Sequence, residues 1–264
     1  MITPTSPVPP YPTPRGLLTG KTVVITAAAG TGIGFSAARR AAEEGARVFI
    51  SDFHERRLNE AADRIADEVG CERPGLFVCD VTSEEAVQGL RDAAIAALGQ
   101  VDVLINNAGL GGEADIVDMT DDQWNRVFDV TLTSLFRMTR AFLPPMYAAK
   151  AGVMVNNASV LGWRAQKGQA HYAAAKAGVM AFTRCAAIEA AEHGVRINAV
   201  SPSLAMHPFL AKVTTQEALD KLVEKEAFKR PAEVWEIANV MMFLASDLSS
   251  YMTGEIVAVS SQRA

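Results

Sequence analysis

The sequence predicts an α/β protein, a single domain built on a doubly wound parallel sheet with helices on both faces. Short apolar runs alternate with amphipathic helical runs along the chain, the pattern left by parallel strands joined through right-handed crossovers. The first of these runs, TVVIT from Thr22, leads straight into a glycine cluster and then a helix. The 264 residues suffice for one large core and show no internal repeat, so one domain is expected over 16–264.

Composition removes several function classes. A net charge of −5 and a pI near 5.5 provide no broad basic field for nucleic acid or an anionic membrane. No apolar run reaches the roughly 20 residues that span a bilayer, and the N-terminus lacks a charged segment followed by an apolar stretch. A cytoplasmic protein is expected. Cys71, Cys79 and Cys185 are odd in number and lack metal-ligand spacing, which suits reduced packing residues and no metal site.

Residues 1–15 hold Pro4, Pro7, Pro9, Pro10, Pro12 and Pro14. Such a segment forms neither helix nor central strand, so a disordered or polyproline arm is expected. From Lys21 the chain reads as strand, glycine turn, helix and a second strand ending at Asp52. Gly30, Gly32 and Gly34 permit close backbone approach, and the helix opening near Ile33 presents free N–H groups and a positive dipole end to a pyrophosphate. A carboxylate at Asp52 accepts bonds from ribose hydroxyls and repels a 2′-phosphate, which favours NAD over NADP. Arg56 and Arg57 fall on a solvated helix face, over 55–69.

The strand LFVCD then ends in Asp80, and Thr82 with Glu85 predicts a capping box for a helix to about Leu98. The next strand, Val103 to Asn106, runs into NNAG. Asn106 and Asn107 suit bonding to the neighbouring strand's backbone, while Ala108 and Gly109 leave room for an adenine or ribose; an ordinary Asn-Gly turn is the competing reading. Thr120 and Gln123 cap a helix expected over 121–142, stopped by Pro144 and Pro145. Its buried stripe reads Phe128, Leu132, Leu135 and Phe136, with Trp124 in the core. The strand VMVNNA leads to Ser159, and the following helix runs to about Glu192, where His193 reads as a cap and His171 as a pocket wall.

Within that helix Tyr172 and Lys176 are four apart, so they share one face. A phenol ionises near pH 10. Lowering that by ~3 units takes about 4 kcal/mol, roughly what an ammonium ~4 Å away supplies at a dielectric of ~20. Ser159, upstream across a loop, is placed to hydrogen-bond the oxygen whose proton Tyr172 moves. After RINAVSP the periodicity fails at Pro202. Residues 203–228, with Thr214 and Glu217 capping a short helix, read as a flap or substrate wall. A helix at 232–245 and the strand EIVAV follow.

Taken together, the glycine turn, Asp80, NNAG, Ser159 and the Tyr172/Lys176 pair resemble the short-chain dehydrogenase/reductase family over about 17–259. The resemblance implies a Rossmann-like domain, a homodimer or homotetramer, and hydride transfer between a nicotinamide and a carbinol carbon. It implies cofactor contacts at Ala28, Gly30, Thr31, Gly32, Ile33, Gly34, Asp52, Phe53, Asp80, Val81, Asn107, Ala108, Gly109, Tyr172, Lys176, Pro202, Ser203 and Ala205. Substrate contacts are expected at Leu110, Val160, Leu161, Trp163, Gln169 and His207, and Thr131 takes the place of a relay asparagine beside Ser159, Tyr172 and Lys176.

The chain also departs from that family. The turn opens Thr26-Ala27 instead of Thr-Gly and is one residue longer, Ser203 replaces a glycine, His207 stands for a threonine, and Ser260-Ser261 replaces Asp-Gly-Gly. These departures resemble a branch related to 3-oxoacyl-carrier-protein reductases, which implies oxidation of a ring alcohol on a sterol-derived CoA thioester with NAD. Lys212, Lys221, Lys225, Lys229 and Arg230 are cations that could meet CoA phosphates. An NADPH-linked 3-oxoacyl-thioester reductase and an inactive nucleotide-binding regulator are the competing readings.

Overall fold

Every residue of the first apolar run is buried, because β1 (Thr22–Thr26) lies inside a parallel sheet covered on both faces. The computed structural model describes residues 4–206 and 215–261. From β1 the chain passes through α1 (Ile33–Glu43), β2 (Arg47–Asp52), α2 (Glu55–Val69), β3 (Gly75–Val78), α3 (Glu84–Leu98) and β4 (Val103–Asn106). It continues with α4 (Asp121–Phe128), α5 (Ser134–Ala149), β5 (Gly152–Asn157), α6 (Ala170–Ala191) and β6 (Val195–Pro202). Then come β7 (Ala205–Met206), α7 (Gln216–Lys225), β8 (Ala232–Glu233), α8 (Val234–Ala245) and β9 (Ile256–Val259).

Among the described residues the main sheet has seven strands in the order β3-β2-β1-β4-β5-β6-β9, and β7 pairs with β8 apart from it. Because β1 and β4 are adjacent and the chain winds outward from them in both directions, the order reverses there; a crevice opens at such a point beyond the strands' carboxyl ends. Alternation along each strand distributes the core. Val23 and Ile25 pack with α1, α2 and α8, while Val24 between them packs with α3, α5 and α6, as a period of two requires.

Several local expectations are corrected. The N-cap of α3 is Ser83, whose hydroxyl accepts from Ala86 N–H at 3.2 Å, while Thr82 turns back and donates to Asp80. Pro144 and Pro145 do not stop the helix; they lie inside α5, which ends at Lys150 in a left-handed conformation, φ 53°. Met138, Phe142 and Met146, all buried against the sheet, carry the helix past the missing N–H groups. Between α4 and α5 a π-helical turn spans Asp129–Thr133. A π turn adds a residue and rotates everything after it relative to a 3.6-residue count. Leu135 is buried accordingly, but Phe136 is 43% exposed, and Trp124 is 38% exposed and stacks on Phe128.

The proline-rich arm has no helix or strand, yet it is fastened at both ends. The Tyr11 hydroxyl donates to Glu43 at 2.6 Å and its ring meets the edge of Trp235. Buried Glu44 accepts from Arg15 and Leu17 N–H, each at 2.9 Å, and from Arg40 at 2.6 Å. Further out, Thr5 donates to the carbonyls of Phe228 (3.0 Å) and Ala227 (2.9 Å). The proline count could not reveal these partners, which lie on α1 and at the far end of the chain.

Candidate active site

A cleft of about 840 Å³ opens at the carboxyl end of the sheet. Its walls bring together Ala27, Asp52, Phe53, Asp80, Val81, Ala108, Gly109 and Leu110 from the ends of four strands. The turn after β1 is shaped by its glycines. Gly30 has φ 91°, and a Cβ on Gly34 would lie 2.3 Å from the Ala27 carbonyl oxygen and 2.4 Å from Asn107 Nδ2. The N-cap of α1 is Gly32, which makes no side-chain cap bond, and a Cβ there or at Gly30 would meet nothing within 4 Å. Thr31 and Ile33 flank it. No side chain caps the first N–H groups of α1, and the turn beside them has open space at Gly30 and Gly32, a cradle that fits a pyrophosphate.

Ala27 itself has φ 51°, in the left-handed region that suits glycine. The missing Thr-Gly glycine thus falls on a strained alanine, at about 1 kcal/mol. Ala27→Gly is expected to relieve that strain, less the larger unfolded-state entropy of glycine, for a net gain of about 0.5 kcal/mol. Thermal unfolding would show a rise in Tm of about 1–2 °C; a lower Tm would mean the alanine is not strained.

Asp52 is held toward the turn: its carboxylate accepts from Ala29 N–H (3.2 Å) and His54 N–H (3.1 Å). Burial pushes its carboxyl up, opposed by the Ala29 bond and by the Arg57 charge. Arg56 is spent on Glu60 at the surface. Asn107 Nδ2 donates to the carbonyls of Thr26 and Ala27, both at 3.2 Å, so it bonds the neighbouring strand as its type suggests. Asn106 instead donates to Asn156 Oδ1 at 3.0 Å inside the core.

Ser159 follows β5, and its hydroxyl accepts from Leu161 N–H at 3.2 Å while bonding Tyr172. The Tyr172 ring is part-exposed but its hydroxyl is enclosed, and burial pushes the phenol up to about 12, with the Ser159 bond opposing. Lys176 is 2% exposed, donates to the Asn157 carbonyl at 2.5 Å, and stands 5.6 Å from the Tyr172 ring centre. Burial lowers its ammonium to about 7. This corrects the expectation that lysine pulls the phenol down: the ammonium is directed at a backbone carbonyl, and enclosure dominates the hydroxyl. Gly109 leaves room for Lys176, whose Nζ lies 3.3 Å from where a Cβ would be.

Thr131 sits in the π turn, 2% exposed, and its hydroxyl accepts from Leu110 N–H (3.0 Å) and donates to Leu110 O (3.2 Å). Sequence reading missed that turn, and it missed the opposite cleft wall of Asp122, Asn125, Arg126 and Val130, since polar residues on an amphipathic helix carry no such signal. It also passed over Asn157. That side chain donates to Asn107 Oδ1 at 2.9 Å, linking the lysine's carbonyl to the glycine turn; the doubled Asn of VNNA was the available sign.

The substrate set is divided. Leu110 lines the cleft, but Leu161 and Trp163 line a separate groove of about 680 Å³ along α6, and Val160 is buried. Gln169 stands at the N-terminal boundary of α6 and makes no side-chain capping bond. His171 is 2% exposed against Gly112, and burial lowers its imidazole. Pro202 ends β6, Ser203 N–H donates to Val259 O at 3.1 Å, and Ala205 pairs with Ala232. His207, Lys212 and Thr214 lie outside the described residues. Of the named cations, Lys221 pairs with Glu217 and Arg230 with Glu236, and Lys229 donates to the Glu224 carbonyl. Cys71, Cys79 and Cys185 are free thiols, Cys185 being exposed. Among the described residues no helix is long and apolar enough to cross a membrane and no side-chain group could hold a metal ion.

A nucleotide cradle at the switch point of a parallel sheet, with serine, tyrosine and lysine gathered beside it, defines a nicotinamide-dependent oxidoreductase. The chain belongs to the short-chain dehydrogenase/reductase family: the family model described as enoyl-(acyl carrier protein) reductase matches residues 27–261. It is 62% identical, over 94% of this chain and 95% of the relative, to the (5R,7aS)-5-hydroxy-7a-methyl-1-oxo-2,3,5,6,7,7a-hexahydro-1H-indene-carboxyl-CoA reductase of Mycobacterium tuberculosis. It is 34% identical, over 92% of this chain and 97% of the relative, to the 3-oxoacyl-(acyl-carrier-protein) reductase FabG of Thermotoga maritima. A crystal structure of a short chain dehydrogenase from Mycobacterium smegmatis superposes with a TM-score of 0.87 at 57% identity, covering 98% of this chain and 99% of that one.

Proposed function

We propose that this enzyme interconverts a secondary alcohol and a ketone on a cyclic, sterol-derived CoA thioester, with NAD as the cofactor. The observation that carries the chemistry is the Ser159–Tyr172 hydrogen bond beside buried Lys176, whose Nζ lies against Gly109 on the wall of the cleft that runs to Asp52. The nicotinamide supplies the hydride acceptor in one direction and the donor in the other. Tyr172 holds the proton that enters or leaves the substrate oxygen, and a phenol pushed up to about 12 is fully protonated near neutrality, ready to donate in ketone reduction. Ser159 positions that oxygen. Lys176 stands behind the phenol and is held there by its bond to the Asn157 carbonyl. Thr131 fixes the Leu110 backbone at the inner edge of the site.

The α1 turn and Asp52 hold the adenosine half of the cofactor, and Pro202, Ser203 and Ala205 wall the nicotinamide. Of the flap read from the sequence, 203–206 and 215–228 are described and form the substrate wall. The M. tuberculosis relative's name supports a CoA-linked bicyclic substrate. The Thermotoga FabG likeness favours a second reading, reduction of a 3-oxoacyl thioester with NADPH. Initial rates with CoA-linked and free cyclic alcohols separate the two, measured with both cofactors. NAD is expected to be preferred at least tenfold, and Asp52→Ala to erase most of that preference; a native preference for NADPH would overturn the use made of Asp52.

A homodimer or homotetramer and a cytoplasmic location complete the proposal. Ile188, 72% exposed on α6, and Phe136 on α5 are apolar side chains that a second copy would cover. Sedimentation at micromolar concentration is expected to show an oligomer, and a monomer would remove that part.

A further inference from the structure

Two of the unexplained departures, Ser203 and Ser261, meet at a single side chain. Glu226, directly after α7, is 1% exposed. One of its oxygens, Oε2, accepts from the Ser203 hydroxyl at 3.2 Å and from the Ser261 hydroxyl at 2.7 Å. The other, Oε1, is buried with no hydrogen-bond partner among the described residues. A carboxylate so enclosed is costly, and nothing in the helix it follows requires it.

Main-chain bonds tighten the same knot. Ser203 N–H donates to Val259 O at 3.1 Å and Ala227 N–H to Ser261 O at 2.6 Å, while Thr5 bonds the carbonyls of Ala227 and Phe228. Four segments distant in sequence are thus joined around one carboxylate: the arm, the exit from β6, the end of α7 and the chain beyond β9.

We propose that Glu226 is a positioning residue that, by accepting from Ser203 and Ser261, fixes the wall of the active site at the exit from β6 and at the base of α7. The consequence for catalysis rests on the reading of 203–228 as the substrate wall; the clasp itself does not. A glycine at either serine position would leave Glu226 without that donor, so the two serines and the glutamate form one unit.

Amide hydrogen exchange on the full chain tests it. Glu226→Leu is expected to raise exchange at Ser203 and Ala227 about tenfold or more, with the β1 amides unchanged. Glu226→Gln keeps an acceptor oxygen and is expected to behave as the wild type. In steady-state assays with a secondary alcohol, Glu226→Leu is expected to raise the alcohol's KM about tenfold, and Glu226→Gln to restore it. Should Glu226→Leu fail to fold, Ser261→Ala, which removes one donor alone, is read in the same two ways.

The proposal is overturned if Ser203 and Ala227 keep their protection, if Glu226→Gln behaves like Glu226→Leu, if β1 exchange rises in step, or if KM does not move while the two amides do. A wild type that turns over no secondary alcohol would defeat the functional reading instead, and the exchange experiment would still decide the clasp.

Discussion

Replacement of Tyr172 by Phe removes turnover by a factor of about a hundred to ten thousand, the range a positioned proton donor contributes. The ring remains and with it the packing beside Lys176, so NADH affinity is expected to stay within about threefold. Only the hydroxyl bonded to Ser159 is lost. Stopped-flow hydride transfer and NADH fluorescence titration on the same preparation separate the two effects. If turnover persists undiminished, the proton comes from another group and the assignment of Tyr172 fails.

Lys176→Met is expected to abolish activity and yet stabilise the fold in acid. The lysine's folded pKa is depressed, to about 7 from 10.5, by burial. The unfolded chain therefore binds more protons between those values, so this group's contribution to stability rises with pH across that window. Below about 7 both states are charged and the full burial penalty applies, about 4–5 kcal/mol at 1.36 kcal/mol per unit. Methionine removes the penalty but leaves the Asn157 carbonyl without its donor, a loss of about 1–3 kcal/mol. A net gain of about 2–3 kcal/mol is expected at pH 6, shrinking to nothing or reversing near pH 10. Urea unfolding at pH 6, 8 and 10 measures it, and an advantage that stays constant or widens with pH would show that Lys176 is not held down by burial.

How much of this was legible follows from the range of each signal. The bounds of β2, ending at Asp52, and of β4, ending at Asn106, could be read because period and turn chemistry are local. So could the gathering of Ser159, Tyr172 and Lys176, since two of them share a helix face. The exposure of Phe136 could not, because one π turn at Asp129–Thr133 resets the helical count without any residue that announces it. The two prolines inside α5 misled for a related reason: the local penalty is real, but burial of Phe142 and Met146 at long range outweighs it. The direction of the Tyr172 shift was also out of reach. It depends on how tightly the hydroxyl is enclosed and on which acceptor the lysine finds, and both are set by β5 and α6 together. Trp163 shows the same limit, being near Ser159 in sequence but in a different groove.

The bonds from Thr5 to Ala227 and Phe228 join residues more than two hundred positions apart. During synthesis, at roughly 5–20 residues per second, Thr5 must wait for more than two hundred further residues before its seat at Ala227 and Phe228 exists. The large loop-closure entropy of that docking makes it a late event. A nascent chain stalled within α7 would hold a formed nucleotide half with Thr5 still unseated, and synthesis of 226–228 would provide that seat.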